Sequence, residues 1–108
     1  MDNAALQRLW QHARALHNAG HLIEASQAYL SLLQAAPANA AVLYNLGLVY
    51  QALGRFDDAR LAYERTIAIN PGLAQAHNNL GNALQALQRR ADALVAYARA
   101  LELDASLA

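Results

Sequence analysis

A five-residue stretch occurs three times: Ala25-Ser26-Gln27-Ala28-Tyr29, Ala59-Arg60-Leu61-Ala62-Tyr63 and Ala93-Leu94-Val95-Ala96-Tyr97. Successive copies lie 34 residues apart. In an alanine-rich chain the alanines alone carry little. The tyrosines carry more, because three of only five in the chain fall in this register. A fixed period of about 20–50 residues marks stacked supersecondary units and argues against one irregular globule.

Glycine and proline punctuate the same period. Gly20 and Gly54 are one period apart, and so are Pro37 and Pro71. Each glycine follows an apolar-periodic stretch, where a left-handed residue closes a helix at little cost. Each proline follows a second such stretch, which it ends. The unit is therefore helix, tight turn, helix, short loop. The first unit spans about 6–39, with one stripe of Leu6, Leu9, Trp10, Ala13 and Leu16 and another of Leu22, Ala25, Ala28, Tyr29, Leu32 and Leu33. The second spans 40–73, with Leu43, Leu46, Gly47, Tyr50 and Leu53, then Phe56, Ala59, Ala62, Tyr63, Thr66 and Ile67. Spacings of three and four put each stripe on one helix face. Asn39 stands as an N-cap, and Asp57 and Asp58 fall in a first turn that favours negative charge.

The third unit spans 74–107 and departs in two places. Gln88 takes the glycine slot, at a cost of about 1 kcal/mol if it must be left-handed. Ala105 takes the proline slot. Ala25, Ala59, Ala93, Gly47 and Gly81 recur where paired helices should approach closely. The tyrosine one turn later should fill the gap between units. His12 occupies a slot that is apolar in the other units.

The totals narrow the function. The 108 residues make one domain, 1–108, and at 56% hydrophobic and 15% charged the chain is not disordered. Its formal net charge of zero gives no field for nucleic acid or an anionic membrane. No apolar run has membrane-spanning length, and the N-terminus lacks the basic start and apolar block of a signal peptide. A cytoplasmic location is therefore expected. Cysteine and lysine are both absent. The all-arginine usage suggests a GC-rich bacterial genome.

At this point the pattern resembles the tetratricopeptide repeat (TPR) family. Helix A of that repeat carries a large apolar residue, Leu-Gly and an aromatic; helix B carries Ala, an aromatic and a terminal Pro. The second unit matches with Leu43, Leu46-Gly47, Tyr50, Ala59, Tyr63 and Pro71. The third matches with Leu80-Gly81, Ala93 and Tyr97, with His77 and Leu84 where larger residues are usual. The first diverges most, having His12-Ala13 for Leu-Gly, and Ala25, Tyr29 and Pro37 hold its register. The resemblance implies an all-α, right-handed superhelical solenoid of three helix-turn-helix units, six helices, without a complete C-terminal capping helix.

In that family the A helices line a concave groove. Carried over residue by residue, the groove rows are Gln7, Trp10, Gln11, Arg14 and His17; Ala41, Tyr44, Asn45, Leu48 and Gln51; and Gln75, Asn78, Asn79, Asn82 and Gln85. The expected contacts to an extended peptide or protein partner are Trp10, Arg14, Tyr44, Asn45, Leu48, Asn78, Asn79 and Asn82. Carboxamides suit such a ligand, because each offers a donor and an acceptor to a peptide unit. The run Ala76–Leu84 also resembles repeats of O-linked N-acetylglucosamine transferases, where an asparagine ladder holds the substrate polypeptide. That implies an alternative role as the substrate-recognition arm of a longer glycosyltransferase-like protein. The chaperone-tail carboxylate clamp of some TPR proteins is matched by Asn45 alone.

Other chemistry finds little footing. His12, His17 and His21 lack a completing carboxylate, and Gly20 should break the helix between the last two, so no metal and no cofactor is expected. Ser26, Ser31, Ser106 and Thr66 have no nucleophile elbow or phosphate loop around them, so no enzyme is expected. Arg89-Arg90 reads as a solvated turn. The C-terminal edge is more informative. Leu94, Tyr97, Ala98 and Leu101 would lack the cover of a following helix A, which invites self-association or marks a fragment of a longer protein.

Overall fold

A computed structural model describes residues 1–107; the last residue of the expected 1–108 domain lies outside them. Six α-helices follow one another: α1 (Asn3–Asn18), α2 (Leu22–Ala35), α3 (Ala40–Ala52), α4 (Phe56–Ile69), α5 (Ala74–Ala86) and α6 (Arg90–Leu103), then a single 3-10 turn, Ala105–Leu107. Neighbours in sequence are neighbours in space, so three antiparallel pairs stack into a solenoid measuring 41 × 25 × 22 Å.

The three tight turns are closed in one way. The amide of the residue after the turn donates five residues back: His21 to Leu16 O (2.9 Å), Arg55 to Tyr50 O (2.8 Å) and Arg89 to Leu84 O (2.9 Å). This closure needs a left-handed residue before it. Gly20 (φ 83°), Gly54 (φ 76°) and Gln88 (φ 62°) supply it. Gln88 is thus held left-handed despite its side chain. The A helices start by different means. Asp2 accepts from the Ala5 amide (2.7 Å) and Asn39 from the Val42 amide (3.2 Å), while Leu73 offers α5 no side-chain cap.

Each pair closes on a tyrosine. A Cβ added to Gly47 would lie 2.5–2.9 Å from ring atoms of Tyr63, and one added to Gly81 would lie 2.6–2.9 Å from Tyr97. Both glycines are therefore seats for a ring. In the first pair the seat is Ala13, which is fully buried. There Tyr29 contacts Trp10 (centroids 6.1 Å), as Tyr63 contacts Tyr44 (6.0 Å) in the same register, and also His17 (6.0 Å, edge on). Each hydroxyl bonds back to the same register of its own A helix: Tyr29 with His17 Nδ1 (3.1 Å), Tyr63 to Gln51 Oε1 (2.7 Å) and Tyr97 to Gln85 Oε1 (2.9 Å).

The core is continuous through α3. Val42 and Val49 are buried along with the expected Leu43, Leu46 and Gly47, because α3 is covered from two sides. Tyr63 reaches beyond its own pair to the cluster holding Ala83 and Leu80 of α5. One expectation is corrected. His12 is exposed, not in the core, since no helix packs on the outer side of α1 among the described residues.

Candidate functional site

α1, α3 and α5 lie side by side on one face. A cleft of about 530 Å³ is lined by residues of α1 and α3, and side-chain hydrogen bonds join α3 to α5. None of these three helices contains Asp or Glu, and α3 and α5 contain no Arg either. The acids sit on the B helices and at helix ends, four of them paired with arginines at i,i+3: Arg55–Asp58 (2.7 Å), Arg60–Asp57 (2.8 Å), Arg89–Asp92 (2.9 Å) and Arg99–Glu102 (2.9 Å).

The predicted contact residues fall into three groups. Tyr44, Asn79 and Asn82 belong to one relay. The Tyr44 hydroxyl donates to Gln75 Oε1 (3.3 Å) and accepts from Asn79 Nδ2 (2.9 Å). Asn82 Nδ2 donates to Asn79 Oδ1 (3.4 Å), and the Tyr97 hydroxyl shares its one proton between Asn82 Oδ1 (2.6 Å) and Gln85 Oε1 (2.9 Å). These carboxamides are engaged within the chain. Burial raises the Tyr44 hydroxyl above its usual range, so it remains a neutral donor.

Asn45 and Asn78 form the second group. Both are half-buried and bond to no other side chain among the described residues. Leu48 lies beside them, packed with Tyr44 toward Tyr63 and Ala83. Of the predicted contact carboxamides, these two are the ones left available to a ligand.

Trp10 and Arg14 form the third group, at the first-repeat end. The Arg14 guanidinium stands 5.6 Å from the Trp10 ring centroid. It is exposed and has no carboxylate partner among the described residues. Burial, and then the charge of Arg14, lowers the pKa of His17, so its ring favours the neutral form that faces Tyr29. Trp10 also forms one wall of the cleft, whose other walls include Leu6, Gln7, Leu32, Ala41 and Val42. Of these, only Gln7 and Ala41 were expected in a groove. Leu6 and Leu32 read in sequence as core, Val42 falls outside the expected stripe, and nothing in the pattern shows that the N-terminal ends of α1 and α3 leave a gap.

The predicted edge also divides on placement. Leu94 is 68% exposed and Leu101 40%, whereas their counterparts one period earlier, Arg60 and Ile67, are half-covered. Tyr97 is partly exposed while Tyr29 and Tyr63 are fully buried. Ala98 is exposed, but so are its counterparts Leu30 and Glu64, so that position is open in every unit. Val95, 71% exposed, was not singled out in sequence. The opposite end differs in character: Arg8, His12 and Ala15 are exposed in the register where α3 buries Val42, Leu46 and Val49.

A family model for the tetratricopeptide repeat matches residues 40–73 and again 74–107. No curated protein matches by sequence. Among solved structures, MamA is similar with a TM-score of 0.88 at 29% identity, over 94% of this chain and 59% of that one. This chain thus spans less than two thirds of that MamA chain. The first TPR of Spaghetti (RPAP3), bound to the HSP90 peptide SRMEEVD, is similar with a TM-score of 0.89 at 27% identity, over 96% of this chain and 82% of that one. The Yersinia enterocolitica type III secretion translocator chaperone SycD is similar with a TM-score of 0.90 at 21% identity, over 96% and 79%, a likeness of fold alone. Among the described residues no helix is long and apolar enough to cross a membrane.

Proposed function

The chain belongs to the tetratricopeptide repeat family, and from that premise we propose that it is a protein-interaction scaffold whose A-helix face takes an extended peptide or a protein segment. The observation that carries this reading is a face free of carboxylates that keeps uncommitted carboxamides, Asn45 and Asn78 among them. A peptide backbone leaving water needs donors and acceptors for each unit it buries, and these side chains offer both. The Spaghetti domain, bound to a peptide in a similar fold, supports it by likeness.

Asn45→Ala combined with Asn78→Ala tests it, because neither residue holds the fold together. Partner capture should weaken at least tenfold while helical content and melting temperature stay as in the wild type. Capture at wild-type affinity would remove this face from the function. The narrower role, a substrate-presenting arm of a glycosyltransferase-like protein, rests on the resemblance of Ala76–Leu84 alone. Asn79 and Asn82 of that run are engaged with Tyr44 and Tyr97, so fewer amides remain for a substrate ladder.

A second reading is self-assembly through the C-terminal edge. It is favoured by the contrast between the two ends: apolar Leu94 and Leu101 at one, Arg8 and His12 at the other. The polar end cannot supply the apolar helix face that covers α2 and α4 inside the solenoid, so association would join like edges, not head to tail. Light scattering of the wild type against Leu101→Glu decides this. A concentration-independent monomer in both would remove it.

A further inference from the structure

The cleft at the first-repeat end has the makings of an anchor site. Its floor and walls are apolar, with Leu6, Trp10, Leu32 and Val42 turned toward one space of about 530 Å³. Gln7 and Asn39 line the same space with carboxamides, so a chain entering it finds apolar cover for a side chain and polar atoms for its backbone. The cleft is formed where α1 and α3 part over the end of α2; between α3 and α5, Tyr44 reaches across to Gln75 and Asn79.

The charge beside the cleft narrows the occupant. Arg14 sits over the Trp10 ring at 5.6 Å, so the ring that walls the cleft also carries a cation. That cation has no carboxylate partner among the described residues, and α1, α3 and α5 hold no Asp or Glu to provide one. Arg55, Arg60, Arg89 and Arg99, by contrast, are matched to an acid one turn away. Arg14 thus presents an unanswered positive charge next to this apolar recess; Arg8, the other arginine of α1, is exposed on the outer register and does not line the cleft.

We infer that this cleft is an anchor subsite for a peptide segment in which a large apolar side chain, seated against Trp10, lies within two residues of an Asp or Glu that pairs with Arg14. The inference rests on the A-helix-face reading above and adds a location and a sequence preference to it. A side-chain carboxylate fits better than a chain terminus. A single guanidinium answers one carboxylate, and the uncommitted amides Asn45 and Asn78 further along the face suit a chain that continues past the anchor.

The probe is a library of random twelve-residue segments displayed internally in a coat protein, so that none has a free C-terminus, panned on the immobilised full chain. Recovered sequences should share a large apolar residue with Asp or Glu within two positions. Recovered peptides, synthesised with amidated ends, are then titrated by fluorescence anisotropy against three variants. Ala41→Trp fills the cleft from its exposed rim and should weaken binding at least tenfold. Arg14→Glu should weaken it likewise and, on renewed panning, select basic in place of acidic neighbours. Asn45→Ala with Asn78→Ala reports on the wider face. If that pair weakens binding while Ala41→Trp and Arg14→Glu bind as wild type, the anchor is overturned and the face stands. If all three bind as wild type, or no sequence is recovered, both are overturned. Circular dichroism on each variant, with unchanged helical signal and melting temperature, keeps a folding failure from passing as lost binding.

Discussion

Asn79 of α5 donates a 2.9 Å hydrogen bond to the Tyr44 hydroxyl of α3. A residue in the register of a ligand contact is thus engaged in holding one unit to the next. Deleting the hydroxyl leaves a part-buried amide without its acceptor, which costs more than losing a solvated contact. Tyr44→Phe should therefore lower stability by about 1 kcal/mol. Asn45→Ala, one residue along and unbonded, should change it by less than about 0.5 kcal/mol. Urea midpoints for the two variants check the difference.

The two ring seats should differ in tolerance. A methyl at Gly47 would press on Tyr63, which is fully buried between α3, α4 and α5. Gly47→Ala should cost about 1–3 kcal/mol. Tyr97 meets Gly81 at similar distances, but its ring is partly exposed and has room to swing. Gly81→Ala should cost distinctly less in the same denaturation experiment, and equal costs would refute the idea that cover by a following helix fixes the ring.

Gln88 holds φ 62° in a turn where the other two units use glycine. Glycine removes the clash between side chain and backbone in that conformation. Gln88→Gly should stabilise the chain by about 1 kcal/mol. In a domain near this size that corresponds to a melting temperature higher by about 4–8 °C, readable by calorimetry.

Stability should fall on both sides of neutrality. Burial and the Arg14 charge lower the pKa of His17. A group with a depressed folded pKa contributes stability that is present above its unfolded value, 6.5, and is lost as pH falls through the folded one. His17→Gln, which copies the register of Gln51 and Gln85, should remove this acid limb and keep a partner for Tyr29. Tyr29, Tyr44, Tyr63 and Tyr97 all have raised pKa values, chiefly from burial. Their contribution is whole below the unfolded value of 10 and is lost as pH rises through the folded ones. Tyr63→Phe should flatten that alkaline limb, though it also gives up the bond to Gln51. Melting temperatures across pH 4–11 test both arms.

Much of the fold was open to inspection in the chain itself. A period of one length, with glycine and proline at fixed phases, sets the number of helices and their order. The Asn39 cap and the left-handed Gln88 follow from the same punctuation. His12 misled because its register is buried only when another helix lies outside it, a property of the stack and not of the repeat. The relay through Tyr44, Asn79, Asn82 and Tyr97 was hidden for another reason. It joins residues up to 35 positions apart, and whether two polar tips meet depends on the offset between units, which periodicity does not fix. The cleft at Trp10 escaped because Leu6 and Leu32 look like ordinary core residues until the gap between α1 and α3 is seen.

The bond from each B-helix tyrosine to its own A helix, at His17, Gln51 and Gln85, has a mechanical meaning. Every helix pair is clasped internally by its tyrosine hydroxyl and closed around a ring, so a pair behaves as a stiff plate. The seams between plates are tied less evenly: no side-chain hydrogen bond joins the first pair to the second among the described residues, and the helices of the second are tied to those of the third through the Tyr44 hydroxyl alone. Drawn out from its two ends, the molecule should flex like a leaf spring, with the give concentrated at the seams. The curvature of the A-helix face would then follow the load while each pair keeps its shape.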